Sequence, residues 1–366
     1  MTVAVRLRDL NEMNIGIFVP PVADSWRLVK RAEELGYQRA WMYDTPMLNS
    51  ELFVSLTAAA THTFKIRIAS GVMIPGNRIA PVAASGLATL NALAPGRIDW
   101  GLGTGFTARR TLGQPPVKLA DLEEYVRVVR GLLANETLQW EFEGKRRKIR
   151  FLDPDIGAIN TKDPIPLHIS AFGPKARRMV AKLGAGWIDA PHDVQHARAN
   201  MEDMRRAWRE AGRDPAALKA TAAIPGCVLK EGEPYDSPRV KSVTGPHATI
   251  ALHSLIEQEE FGDIGRAPPS FLAPLLERYR ETYEKYEPAD ARYLSNHRGH
   301  LMYLRPEEEA LCTGELIKAA TWTATKPELQ ERLRELKKIG YQQLCVEMGY
   351  RHPEKLEEWL EVFEGL

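Results

Sequence analysis

Ile66-Arg-Ile-Ala-Ser-Gly-Val72, the stretch Ile79 to Leu93, and Arg97-Ile-Asp-Trp-Gly-Leu-Gly103 together read as strand, helix, strand. The two flanking runs are apolar without alternation, as expected of strands covered on both faces. Short links between such elements make the strands parallel and the crossover right-handed.

The same unit repeats outward in both directions. Upstream, Asn14-Ile-Gly-Ile-Phe-Val-Pro20 is a first strand. Asp24 is placed to cap a helix in which Trp26, Val29, Ala32 and Leu35 recur at helical spacing, and Gly36 ends it. Arg39-Ala-Trp-Met-Tyr-Asp44 is the second strand, with a helix from about Ser50 to His62. Downstream, a fourth helix covers Leu119 to Leu133. The alternation then breaks: Thr137 to Phe151 alternates polar and apolar residues around Glu143-Gly144, a β-hairpin excursion. It resumes with strand Ile165–Ala171, helix Pro174–Leu183, strand Gly186–Ala190, helix Val194–Ala211 and strand Thr221–Leu229. Lys230 to Arg305 is rich in Pro, Gly, His and charge, with helical patches near Ala248–Glu259 and Pro274–Tyr286. It reads as an insert outside the alternation, placed to fold over one end of the barrel as a lid. Helix Lys326–Ile339, strand Gln343–Glu347 and helix Pro353–Phe363 bring the strand count to eight. The predicted fold is α/β, a single (β/α)8 TIM barrel over 1–366 with the 137–151 hairpin and the 230–305 insert.

Composition agrees with that size and narrows the class. The 366 residues are 44% apolar, enough for a large core. Lys plus Arg number 49 against 48 Asp plus Glu, interspersed, which argues against a nucleic-acid partner or a polybasic membrane anchor. No apolar run reaches the ~18 residues of a membrane span. Met1 to Met13 lacks the apolar stretch of a signal peptide and reads as an extension before the first strand. Cys227, Cys312 and Cys345 are far apart and odd in number, the pattern of inert thiols in a cytoplasmic protein.

Barrel chemistry sits at the C-terminal ends of strands. Asp44 closes strand two, Gly71-Val72 strand three, Gly103-Thr104-Gly105 strand four, and Ser170-Ala-Phe-Gly-Pro-Lys175 links strand five to its helix. Pro174 at the first helical turn loses no hydrogen bond, and the free N–H groups there form the positive end of the helix. Gly101-x-Gly-x-Gly105 lacks the G-x-G-x-x-G spacing of a dinucleotide fold, and Asp121 falls in a helix rather than at a strand end. Arg109 and Arg110 follow, within reach of an anionic group or simply solvated. His192 and His196 are four apart, but no HExxH or third ligand accompanies them, so no metal is expected. His192, just after strand six, is instead a candidate for proton transfer. His297 and His300 belong to the insert, and Glu347 ends strand eight facing the same cavity.

These segments resemble the bacterial luciferase-like superfamily of flavin- and deazaflavin-dependent oxidoreductases, nearest its methylenetetrahydromethanopterin reductase branch. The resemblance rests on Ala32-Glu-Glu-Leu-Gly-Tyr37 into Ala40-Trp-Met-Tyr-Asp44, Ile68-Ala-Ser-Gly-Val72, and Ala83-Ala-Ser-Gly-Leu-Ala-Thr-Leu90. It continues through Pro95-Gly-Arg97, Gly101-Leu-Gly-Thr-Gly105, Glu124 to Leu133, Pro166 to Gly186, and Leu333 to Tyr341. It implies that the cofactor ring lies against Gly71-Val72, where such enzymes carry a cis peptide in a bulge. It implies a cofactor site of Gly71, Val72, Gly103, Thr104, Gly105, Ser170, Gly173, Pro174 and Lys175. Asp44 and His192 become the catalytic candidates, with a helix cap or rim hydrogen bond the other reading of Asp44. Deazaflavin dehydrogenases with His directly after this Asp use it for proton transfer; here Thr45 stands instead. The cofactor expectation is therefore open between FMN, supplied reduced by a flavin reductase for O2-dependent monooxygenation, and the deazaflavin coenzyme F-420, which exchanges hydride. A non-catalytic barrel serving as a binding or structural subunit is the third reading. A small-molecule substrate and a homodimer paired through helices two and three complete what the resemblance implies.

Overall fold

In the computed structural model, which describes residues 13–261 and 270–366, eight parallel strands close a barrel. They are β1 Asn14–Val19, β2 Arg39–Met42, β3 Arg67–Met73, β4 Ile98–Leu102, β5 Leu167–Ser170, β6 Gly186–Asp189, β7 Ala220–Ile224 and β8 Gln343–Glu347. Around the barrel they run β1-β8-β7-β6-β5-β4-β3-β2. Helices α1 Trp26–Glu34, α2 Leu52–His62, α3 Ala80–Leu93, α4 Leu119–Leu133, α5 Pro174–Leu183, α6 Val194–Glu210, α7 Lys326–Ile339 and α8 Lys355–Phe363 follow the successive strands. The expected extension at Met1–Glu12, and 262–269 of the insert, lie outside the described residues.

The strands bury both faces, which explains their unbroken apolar runs. Ile15, Ile17 and Val19 of β1, with Leu344 and Val346 of β8, join the main core between strands and helices. The intervening positions, Phe18, Trp41, Ala69, Ile188, Ala223 and Cys345, fill the barrel interior. At the N-terminal end Asp99 is fully buried, with Arg39 Nε and Arg67 Nε at 2.8 and 2.7 Å. Two guanidinium groups on one carboxylate supply the compensation that a buried charge requires.

Three local expectations change. Helix α1 starts after Ser25, whose hydroxyl accepts from Val22 N–H, so Asp24 is not its N-cap. The run Thr221–Leu229 divides at Pro225-Gly226, because proline cannot continue the ladder. Val228-Leu229 leaves the barrel and pairs with Ala324-Thr325. The insert carries its own apolar cluster, including Cys227, Val240, Leu252, Leu275, Tyr279, Leu311 and Leu316, so its packing extends past Arg305. Its longer helices are Pro238–Ala248, Ile250–Ile256, Leu272–Tyr283 and Gly314–Ala320. The hairpin stands where expected, Leu138–Phe142 against Lys145–Ile149. All three cysteines are buried and free.

Candidate functional site

Strand β3 loses register with β4 between Ser70 and Met73, producing a bulge at the C-terminal mouth, and the Gly71–Val72 peptide is cis. Gly71 is needed there sterically: a Cβ would meet Trp41 Cβ at 2.4 Å and Phe18 Cδ1 at 3.2 Å. Trp41 and Phe18 are interior residues, so the bulge rests on the packed barrel floor. Val72 is half-buried above it.

Gly103, just beyond the end of β4, binds the next part of the site to this bulge. A Cβ at Gly103 would lie 2.6 Å from Val72 Cγ2 and 3.7 Å from Ser170 Cβ. The residue after β4 thus sits between the β3 bulge and the end of β5. Thr104 is half-buried and its carbonyl accepts from Val117 N–H at 2.8 Å. Gly105 has φ +79°, the left-handed region in which glycine costs least. Gly173 is the N-cap of α5, Pro174 opens the helix, and no side chain caps it. Gly173, Pro174 and Lys175 are exposed, and a Cβ on Gly173 would meet nothing within 4 Å. A ten-residue helix therefore presents its positive end to open space beside Ser170.

That loop is held by buried charge. Arg177 donates to Phe172 O and Asn200 Oδ1 at 2.7 and 2.6 Å and pairs with Asp203 at 2.7 Å. Asn200 Nδ2 in turn donates to Asp189 at 3.0 Å, which also accepts from Tyr341 OH at 2.7 Å. Burial raises the Asp189 carboxyl, and the Tyr341 and Asn200 hydrogen bonds oppose that rise.

Asp44 lies just beyond the end of β2, buried. Its carboxylate accepts from Ile74 N–H at 3.0 Å and from Arg78 Nη1 at 2.9 Å. Arg78 also pairs with Glu51, and Asn77 Nδ2 donates to the Asp44 carbonyl. The groups that bind Asp44 itself, from Ile74, Asn77 and Arg78, all fall on the turn that follows the bulge. His192 is exposed beyond β6, its ring stacked on His196 at 4.5 Å. Among the described residues no group of three His, Cys, Asp or Glu could hold a metal.

Tyr43 and His247, which the sequence did not single out, complete the mouth beside Glu347, which it did. Tyr43 stacks on Phe18 at 6.2 Å, and its hydroxyl is buried without a hydrogen-bond partner. Leaving a buried hydroxyl unpaired costs about 1–3 kcal/mol. Burial, with the Glu347 charge nearby, pushes that phenol well above its ordinary range. Glu347 pairs in register with Phe18 across β8 and β1. His247, from insert helix Pro238–Ala248, brings Nε2 to 3.1 Å from Glu347 Oε2, close enough for an ion pair but out of line for a hydrogen bond. No local motif marks His247 or Tyr43, because only the fold brings them to β8.

A family model described as luciferase-like monooxygenase matches residues 7–343. This chain belongs to that family. Among curated relatives, 5,10-methylenetetrahydromethanopterin reductase of Methanolobus tindarius is 30% identical over 57% of this chain and 64% of its own length. F420-dependent glucose-6-phosphate dehydrogenase of Beutenbergia cavernae is 32% identical over 36% of this chain and 40% of its own. These matches span less than two thirds of the relatives' length. The solved coenzyme F420-dependent tetrahydromethanopterin reductase of Methanopyrus kandleri shares the fold with TM-score 0.69 and 20% identity, covering 96% of this chain and 98% of that one. An oxygenating constituent of 3,6-diketocamphane monooxygenase of Pseudomonas putida, in complex with FMN, does so with TM-score 0.61 and 13% identity, covering 97% and 96%. The expected eight-stranded barrel and the luciferase-like resemblance hold. Relatives and structural neighbours include both deazaflavin and FMN enzymes.

Proposed function

We propose that this chain is an F-420-dependent oxidoreductase exchanging hydride with a small organic substrate at the C-terminal mouth of the barrel. The observation that carries the reading is the convergence of Val72, Gly103 and Ser170 beside the uncapped start of α5. A ring resting on the bulge and a phosphate resting on that helix start are separated by one strand. Coenzyme F-420, when bound, supplies a ring carbon that gives or takes hydride. The chain supplies orientation and water exclusion.

In this reading Gly71 and Val72 would support the ring, and Gly103, Thr104 and Gly105 would keep the β4 loop clear of it. Ser170, Gly173, Pro174 and Lys175 grip the phosphate, mainly through backbone N–H groups. Asp44 is a positioning residue that holds the turn after the bulge through Ile74 and Arg78. His192, at the exposed rim, is a lesser candidate for proton transfer than the buried groups of the mouth. The insert acts as a lid, because His247 reaches Glu347 at the mouth.

FMN chemistry is the second reading, favoured by the FMN-bound structural neighbour, and the same helix start suits either phosphate. In that case a flavin reductase is the expected partner. A homodimer through α2 and α3 fits the exposed Val54 and Val82 on those helices. No helix among the described residues is long and apolar enough to cross a membrane, and we place the protein in the cytoplasm.

Parallel titration of the apo-protein with F-420 and with FMN, followed by fluorescence and absorbance, tests the choice. F-420 is expected to bind at least about tenfold tighter, a difference of about 1.4 kcal/mol. Tighter FMN binding moves the assignment to the monooxygenase.

A further inference from the structure

We propose that Glu347 is the group that takes the proton from the substrate's hydroxyl, with His247 as its positioning residue and Tyr43 as a second polar contact for the substrate. This inference rests on the hydride-exchange reading above.

The placement follows from register. Strands β8, β1, β2 and β3 are consecutive around the barrel. Phe18 pairs with Glu347 on one side and with Trp41 on the other, and Trp41 pairs with Ala69. Cys345 fills the interior, and Glu347, two residues on, shares its face of the strand. Tyr43 stands two residues beyond Trp41 in the same sense and packs on the interior cluster together with Val72. Glu347, Phe18, Tyr43 and Val72 therefore form one arc, with the carboxylate at one end and the cofactor bulge at the other.

Two features fix the carboxylate there. Lys355 is buried, and its Nζ donates to the Glu347 carbonyl at 2.6 Å, which anchors the end of β8. The insert helix carrying His247 is tied to the same corner by Ser242 with His352 at 3.0 Å and Arg239 with Glu358 at 3.2 Å. Pro246 removes a main-chain N–H from that helix, which stops at Ala248. His247 thus lies in the last turn, at the end of the helix that meets β8.

The arc also defines what it can receive. Phe18, Val72 and Ala190 supply an apolar wall, while Tyr43 and His247 offer buried polar atoms without aligned partners. A carboxylate in such a wall repels an anion and accepts from a hydroxyl. The substrate class is a neutral alcohol with an apolar body. In the oxidative direction the carbinol C–H bond breaks and its pair leaves as hydride to the deazaflavin ring. The O–H bond breaks, its pair becomes the second C=O bond, and its proton forms a bond to a Glu347 oxygen. Water then takes that proton. The reverse reaction returns it to the ketone oxygen.

The test uses the full chain with F-420, cyclohexanol and cyclohexanone. Without turnover, equilibrium binding to the apo-protein is expected to favour cyclohexanol at least about threefold, and Glu347→Gln is expected to abolish or invert that preference, since an amide can donate to the ketone. With F-420 loaded, the rate of loss of absorbance at about 420 nm with cyclohexanol is expected to fall about 10²-fold or more in Glu347→Gln. F-420 affinity is expected to stay within twofold. His247→Ala is expected to slow the same step and to be partly rescued by added imidazole. A Glu347→Gln protein that keeps both the preference and the rate overturns the proposal, as does wild type that binds F-420 but oxidises no alcohol. Wild type that does not bind F-420 overturns the hydride-exchange reading instead.

Discussion

The barrel and the insert both bury charge, but in opposite ways. The barrel keeps it at the ends of its strands: Asp99 with Arg39 and Arg67 at one end, Asp44 with Arg78 and Asp189 near Arg177 at the other, around an apolar cluster. The insert runs polar groups through its middle. Arg110 pairs with Glu257 at 3.2 Å, and Glu257 also receives His297 Nε2 at 2.9 Å and Asn296 Nδ2 at 2.7 Å. Thr107, His300, His253 and Glu308 form a second chain, with Thr107 Oγ1 to His300 Nε2 at 3.1 Å and His300 Nδ1 to His253 Nδ1 at 2.9 Å. His253 Nε2 contacts Glu308, which accepts from Arg305 Nη2 at 2.5 Å. Burial drives His253 and His300 toward the neutral form. Neutral rings satisfy the chain throughout: Thr107 donates to His300, His300 to His253, and His253 to Glu308. Against the cost of burial, the His253 hydrogen bond and then the permanently charged Arg305 hold the Glu308 carboxyl down at about 2. Thr107 and Arg110 follow the Gly103–Gly105 cradle directly, so the insert docks on the loop that borders the cofactor site. A barrel held by apolar area shares a loss over one continuous core, whereas a docked polar core fails locally when one partner is lost.

The largest expected effect separates the two regions. Arg305→Leu leaves Glu308 buried without its permanent partner and is expected to cost about 3–5 kcal/mol. Hydrogen exchange should show lost protection across 240–256 and 272–283 while β1 to β8 stay protected. The counterpart is Leu87→Ala in α3, fully buried in the barrel core, expected to cost roughly 3 kcal/mol and to lower protection throughout the barrel. Equal loss in both regions for both variants would show one cooperative unit and break the comparison.

A smaller effect concerns acid. The folded-state values of His253 and His300 lie below the unfolded value near 6.5, and burial takes His168 in the barrel down to about 4. Below about pH 6.5 the unfolded chain binds protons that these rings refuse, so stability falls as pH falls. Each ring contributes about 1.4 kcal/mol per pH unit until its own folded value is reached. Denaturant unfolding between pH 7 and 5 measures the slope, and His300→Asn should flatten it by one ring's share. An unchanged slope would mean that His300 is charged in the fold.

The same contrast explains what could be read in advance. Helices α4, α5 and α7 and strand β8 run over the residues expected, because their apolar residues recur at the period of the element that buries them. In the insert, the helical patches near Ala248–Glu259 and Pro274–Tyr286 hold helices Ile250–Ile256 and Leu272–Tyr283, whereas Pro238–Ala248 was not legible, since buried Thr244 and His247 interrupt its apolar period. Strand seven was drawn too long, across a proline that ends it. At the site, glycines and the Pro174 helix start were visible as local signals. Tyr43 and His247 were not, because their roles depend on packing between β2, β8 and a helix about one hundred residues before β8.

The most direct test of the central claim is the F-420 dissociation constant of Gly173→Leu. Gly173 has φ −103°, and a Cβ there meets nothing within 4 Å, so leucine should leave fold and melting temperature unchanged. Its bulk would stand where the phosphate approaches the start of α5. Affinity is expected to weaken at least about tenfold, about 1.4 kcal/mol. Affinity within twofold of wild type in a folded variant would place the phosphate elsewhere and contradict that claim.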